Sequence, residues 1–232
     1  MDTVNTPVQK KPFPVAAITF SVSVFALLIL LLLPITRNDA IAAVDVIMFF
    51  GAAIPLVFLV VGLFIRKNNL LVFIPLCVLA LSYLASTVFE AVNGVVSLTY
   101  IFHVGFHASA GAFEALWRVI ADVGSNALVC LGFLLMAVIT FGAQKFGKKI
   151  TKLWFLPVIP FGLATVSTLF SFAYYEMQVF EFVFVRAIPM STLMNTIAWS
   201  QAQKFSTLEI AFLLFTLSAL FYGLALKKSA KI

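Results

Sequence analysis

Four short basic segments, separated by long apolar stretches, constrain this chain more than any other feature. Eleven of its fifteen basic residues lie in them: Lys10 and Lys11, then Arg66 and Lys67, then Lys145, Lys148, Lys149 and Lys152, and finally Lys227, Lys228 and Lys231. Eight of the nine acidic residues fall in the stretches between. Lys and Arg accumulate on the cytoplasmic side of membrane proteins, so the pattern predicts class, number of spans and orientation together.

The composition agrees. Charged residues make up 10% of the chain, hydrophobic ones 63%, and the mean hydropathy is +1.12. A water-soluble domain of 232 residues has too little interior to hide that much apolar surface. The net charge of +6 reads as a cytoplasmic collar beside anionic headgroups, and no nucleic-acid partner is expected. Cys77 and Cys130 lie inside apolar runs, which predicts small core side chains and no disulfide. His103 and His107 stand too close in the chain to hold one haem from two helices, and two histidines are too few for two haems. The first apolar run, 15–35, exceeds the roughly 7–15 residues of a signal-peptide core and lacks a small-residue cleavage site, so an uncleaved first span is expected.

Crossing a hydrocarbon core of about 30 Å takes about 20 apolar helical residues. Six segments qualify, at about 15–35, 44–65, 70–89, 124–142, 153–175 and 207–226. The expected architecture is thus an all-α integral membrane protein with six transmembrane helices. Both termini, 1–14 and 227–232, are placed in the cytoplasm, around a single membrane domain at 15–226. Two long exoplasmic loops, 90–123 and 176–206, are too rich in Phe, Val, Ile, Leu and Trp to be disordered, and interfacial helices are expected in them. In the first, 107–111 reads as a breaker before a helical pattern at 113–123; in the second, Pro189 suits the first turn of a helix over 190–203. Trp117 and Trp199 suit an interface.

Three groups of residues carry candidate chemistry. On a single helix over 102–123, His103, His107, Glu114, Arg118 and Asp122 would share one stripe, and His103, His107 and Glu114 would offer three ligands to zinc. Apart from that zinc, no cofactor is expected. The competing reading makes Glu114, Arg118 and Asp122 an exposed ladder of ion pairs at i, i+4 spacing. Asp45, Glu90, Asp122, Glu176 and Glu209 stand at the outer ends of five spans, where a shared vestibule would concentrate cations, with Arg118 as an inward charge; solvated end-caps are the alternative. Pro55, Pro75, Pro157 and Pro160 are expected to interrupt spans 2, 3 and 5, and Gly51, Gly132 and Gly162 to let helices approach. Hydroxyls cluster at Thr165, Ser167 and Thr168.

No phosphate loop, no Gly-x-Ser-x-Gly elbow and no lysine inside the last span for a retinal Schiff base occur. The sequence therefore leads to a multi-pass protein that handles a small solute, as a transporter or its membrane-embedded binding subunit. The alternative is a non-catalytic accessory or assembly subunit docking onto other membrane subunits. An outer-face metal-dependent enzyme comes third. A bacterial plasma membrane is the expected location.

Overall fold

The computed structural model describes residues 14–36, 43–65, 70–103, 110–146, 150, 152–193 and 197–229. Its elements are α1 (Pro14–Thr36), α2 (Ala43–Ile65), α3 (Leu70–His103), α4 (Ala110–Phe146), α5 (Val158–Phe180), a π-helical turn (Glu181–Val185), α6 (Met190–Leu193) and α7 (Ile197–Ser229). No strand occurs among the described residues. In hydrocarbon each backbone N–H and C=O must find its partner inside the segment, which helices provide.

Four helical stretches are long and apolar enough to cross a membrane: Leu70–Val96, Val119–Ala143, Val158–Val185 and Ser206–Lys227. Val15–Leu27 and Phe50–Ile65 are shorter apolar helical stretches. Each helix exposes a stripe of large apolar side chains at three- and four-residue steps, such as Ile18, Val22 and Phe25 on α1, Ile54, Phe58 and Val61 on α2, or Leu163, Val166 and Phe170 on α5. In water such stripes would drive aggregation; lipid solvates them. The molecule is an all-helical chain of membrane type.

The helices close into a ring. α1 packs on α2, α2 on α3, α3 on α4, α4 on α5, α5 on α7, and α7 returns to α1. Close contacts show α2 and α3 to be antiparallel, since Gly62 meets Leu71 and Gly51 meets Ser82, and α7 joins α1 where Ser218 Oγ donates to Thr19 Oγ1 at 2.6 Å. One end of the ring carries Lys152 and Lys227 and is termed the lysine end; the far end carries Asp122, Glu176 and Lys204.

The prolines act locally, in two ways. Pro55 and Pro75 lie inside α2 and α3 and withdraw the N–H that would pair with the carbonyl four residues back. Ser82 Oγ donates to the freed Gly51 carbonyl at 2.7 Å, and the freed Leu71 carbonyl faces Gly62, where a Cβ would collide with it. Both carbonyls are thus spent in the α2–α3 seam rather than held open for a solute. Pro157 and Pro160 do not interrupt a span as expected. Pro157 caps α5 and Pro160 sits in its first turn, where the missing N–H has no helical partner to lose.

The long connections also differ from expectation. Residues 90–103 continue α3 and 110–123 begin α4, so 90–123 is largely a helical hairpin continuous with two spanning helices. At 1.5 Å per residue the 34 residues of α3 reach about 51 Å and the 37 of α4 about 55 Å, well beyond a core of about 30 Å. Of the breaker expected at 107–111, residues 110 and 111 are helical and open α4, while 107–109 lie outside the described segments. On the other side, α5 passes into the π turn, where Arg186 N–H donates to the Glu181 carbonyl and Ile188 N–H to that of Phe182, both at 3.0 Å. Ala187 sits between them in the left-handed region at φ 50°. Pro189 precedes α6 and its carbonyl accepts from Thr192 and Leu193 N–H, consistent with a helix start.

Candidate functional site

The centre of the ring is filled by aromatic rings. Phe133 of α4 stacks on Phe20 of α1 (centroids 6.5 Å apart) and on Tyr83 of α3 (5.8 Å), and meets Phe161 of α5 (5.0 Å) and Phe215 of α7 (5.2 Å) edge-on. Five helices thus converge on one ring. Phe20, Phe133, Phe161 and Phe215 are fully buried. Gly132 makes the fit: a Cβ there would lie 2.7 Å from the Phe161 ring.

Toward the lysine end the seams are closed by hydroxyls. Tyr222 Oη and Thr140 Oγ1 are 2.6 Å apart, and the Thr140 proton goes to the Met136 carbonyl. Trp154 lies across α7 so closely that a Cβ on Gly223 would come 2.5 Å from its carbonyl oxygen, and Lys227 Nζ sits 5.4 Å from its ring centroid.

Toward the far end the interior is polar. From Phe133 outward, α4 places Ser125 eight residues away and Asp122 eleven; from Phe215 outward, α7 places Thr207 eight away and Lys204 eleven. At 1.5 Å per residue these pairs stand level, about 12 and 16 Å from the aromatic centre. Thr168 and Ser171 of α5, seven and ten residues beyond Phe161, fall at the same depth. Ser125, Thr168, Ser171, Thr207 and Asp122 are all buried. Each of three hydroxyls gives its proton to a carbonyl of its own helix: Ser125 to Asp122 (3.3 Å), Thr168 to Ala164 and Thr165 (3.1 and 2.9 Å), and Ser171 to Ser167 (3.2 Å). Their lone pairs remain as acceptors.

An ion pair covers this layer. Lys204 Nζ donates to both carboxylate oxygens of Asp122, at 3.0 and 3.1 Å, and α5 stands between the two helices in the ring. The Asp122 side chain retains 10% exposure, against 34% for Lys204. Around it packs a second apolar cluster, with Ala121, Tyr175, Val179, Leu193 and Ala202 buried and Phe172, Phe182, Ile188 and Trp199 against them.

Of the residues singled out by sequence, the structure brings Asp122 into this site. Glu90 is half-buried on α3, Glu176 exposed on α5 and Glu209 half-buried on α7. Asp45 lies on α2, and Arg118 and Glu114 on α4, with side chains outside the described part. Asp122 takes a partner from α7, eighty-two residues away. The zinc set divides: His103 ends α3, Glu114 belongs to α4, and His107 lies outside the described residues, so no single helix carries the stripe. Among the described residues no three His, Cys, Asp or Glu side chains gather as metal ligands. Both cysteines are free.

Thr168, from the hydroxyl cluster expected in span 5, also belongs to this layer, whereas Lys204 is not among the residues singled out by sequence. One signal pointed to Lys204. Four basic residues stand outside the four basic segments: Arg37, Arg118, Arg186 and Lys204. A cation on the wrong side of the charge pattern calls for a local partner. The two whose side chains are described both have one, Lys204 in Asp122 and Arg186 in Glu181, the latter at 2.7 Å and exposed. No protein-family model matches the chain, and neither a curated protein nor a solved structure is significantly similar to it.

Proposed function

We propose that this is a six-span plasma-membrane protein, lysine end in the cytoplasm, that handles a small polar solute at the far-end layer of Asp122, Ser125, Thr168, Ser171, Thr207 and Lys204. One observation carries the reading: a charged pair whose carboxylate is buried stands level with four buried hydroxyls at one end of a mostly apolar bundle. A buried carboxylate is costly to hold, and such groups concentrate where a solute or ion must be met. A protein that only packed could fill the layer with Leu and Ala. The aromatic centre below then acts as the barrier on the cytoplasmic side, and the ion pair as the cover on the outside.

The test is retention. Protein purified in mild detergent, then denatured and searched for released small molecules by mass spectrometry, should yield a polar solute. A variant with both charges removed (Asp122→Asn with Lys204→Met) should yield none. Equal yield from both, or none from either, refutes the reading.

The accessory-subunit reading has one observation of its own. The rings of Phe180 and Phe184 lie tilted to each other with centroids 4.5 Å apart, and both are largely exposed, with Val185, where α5 passes into the π turn. Their distance from the start of α5, twenty-two residues or more at 1.5 Å each, puts them at or past the limit of a core of about 30 Å. An apolar pair at that height favours a protein neighbour. Stoichiometric co-purification of a second membrane protein, lost in Phe180→Ser with Phe184→Ser, tests it.

A further inference from the structure

We infer that the solute is a small primary amine in its ammonium form, and that Lys204 is its tethered stand-in on Asp122. The inference rests on the solute-handling reading above.

Three features of the layer point to a cation. The first is the asymmetry of the pair. Asp122 has a short side chain on a helix that packs against α3 and α5, and it retains 10% exposure. It cannot leave. Lys204 reaches in on a long flexible stem from a position one-third exposed, and can turn its ammonium outward to water. When the pair opens, the charge left inside is the carboxylate, and a buried carboxylate demands a cation. The second is the polarity of the hydroxyls. Ser125, Thr168 and Ser171 donate to their own helices and so offer acceptors to whatever lies between them. An ammonium brings three donors; a carboxylate or phosphate would face oxygen on every side. The third is size. The volume that opens is the one the end of Lys204 vacates, which suits a short alkylammonium whose hydrocarbon takes the place of the lysine stem.

The exchange is one of hydrogen bonds alone. Lys204 Nζ leaves Asp122 Oδ1 and Oδ2, the incoming ammonium takes both, and no proton or covalent bond is transferred. Because the closed pair competes with the solute, removing Lys204 should tighten binding, whereas an anion site built on Lys204 would lose it. The sign of that one effect separates the two.

The experiment uses the full chain in detergent and three probes of equal length: n-butylammonium, butyrate and 1-butanol. Calorimetry on the wild type should show the amine binding at least about tenfold more tightly than the other two, because only the amine carries a charge that pairs with Asp122. Asp122→Asn should abolish amine binding. Lys204→Met should bind the amine about tenfold more tightly, and the amine should raise its thermal midpoint more than that of the wild type. If Lys204→Met does not accumulate, Lys204→Gln in the same assay gives the sign. Butyrate binding lost on removing Lys204, or amine binding indifferent to Asp122→Asn, overturns the inference while a retained solute keeps the broader reading alive. If none of the probes binds and the purified protein releases no small molecule, both fall together.

Discussion

The two halves of the ring interior are built from the same helices and solve opposite problems. Between the aromatic centre and the lysine end, side chains are spent on holding helices together: Phe133 touches rings from four other helices, and Thr140 with Tyr222 closes a seam. In the far half, the same α4, α5 and α7 bury a carboxylate and four hydroxyls, and Lys204 of α7 pairs with the carboxylate. Apolar burial favours a single packed state, whereas a charged pair under partial exposure has a second state available, with the lysine in water. The first half is suited to rigidity and the second to exchange.

The largest effect should come from the rigid half. Phe133→Ala removes the ring on which five helices converge and should lower stability by about 3–5 kcal/mol, measured by denaturant titration in mixed micelles. A loss under about 1 kcal/mol would mean that the centre is not the fold's anchor. Next comes the pair, and here the two partners should differ. Lys204→Met leaves Asp122 with little water and should cost about 3 kcal/mol; Asp122→Asn leaves a lysine free to turn outward and should cost about 1 kcal/mol. Equal losses in the same titration would erase the asymmetry on which the cation argument stands. Tyr222→Phe should cost about 0.6 kcal/mol, the usual worth of an interhelical hydrogen bond in a membrane. Ala187→Gly should raise the thermal midpoint, with a gain of about 0.5–1 kcal/mol, because Ala187 is held at φ 50° and glycine adopts that conformation freely. Smallest of all, Glu181→Gln should change stability by less than about 0.5 kcal/mol, since its pair with Arg186 is exposed.

Much of the scaffold was legible because membrane helices are written in composition. Leu70–Val96, Val119–Ala143 and Ser206–Lys227 contain the apolar runs expected at 70–89, 124–142 and 207–226, each overshooting at the far end. The overshoot has a physical reason. Hydropathy falls where Glu90 and Asp122 enter the sequence, but a helix does not end at a charge; it ends where its backbone bonds find other partners. Pro157 and Pro160 were misjudged on similar grounds, since a proline pair marks a kink or a start and only the backbone decides which. The site was half legible. Asp122 drew notice as an acid at a span end, and a long-range partner such as Lys204 leaves no local spacing to read. The hydroxyl cluster at Thr165, Ser167 and Thr168 is legible in the sequence, but the placement of Thr168 level with Ser125, and of Ser171 level with Asp122, depends on the register between α4 and α5, which Gly132 and Phe161 set.

The uninterrupted length of α4 has a mechanical meaning. From Phe133 to its start at Ala110 the helix is an unbroken arm of twenty-three residues, about 34 Å long, with the aromatic centre as its fulcrum. A tilt of 10° about that point displaces the tip by roughly 6 Å and the carboxylate of Asp122 by roughly half as much, so small rearrangements of ring packing are amplified along the arm. A spectroscopic label fixed near Ala110 would therefore report, with a built-in gain, whether the ion pair beneath it is open or closed.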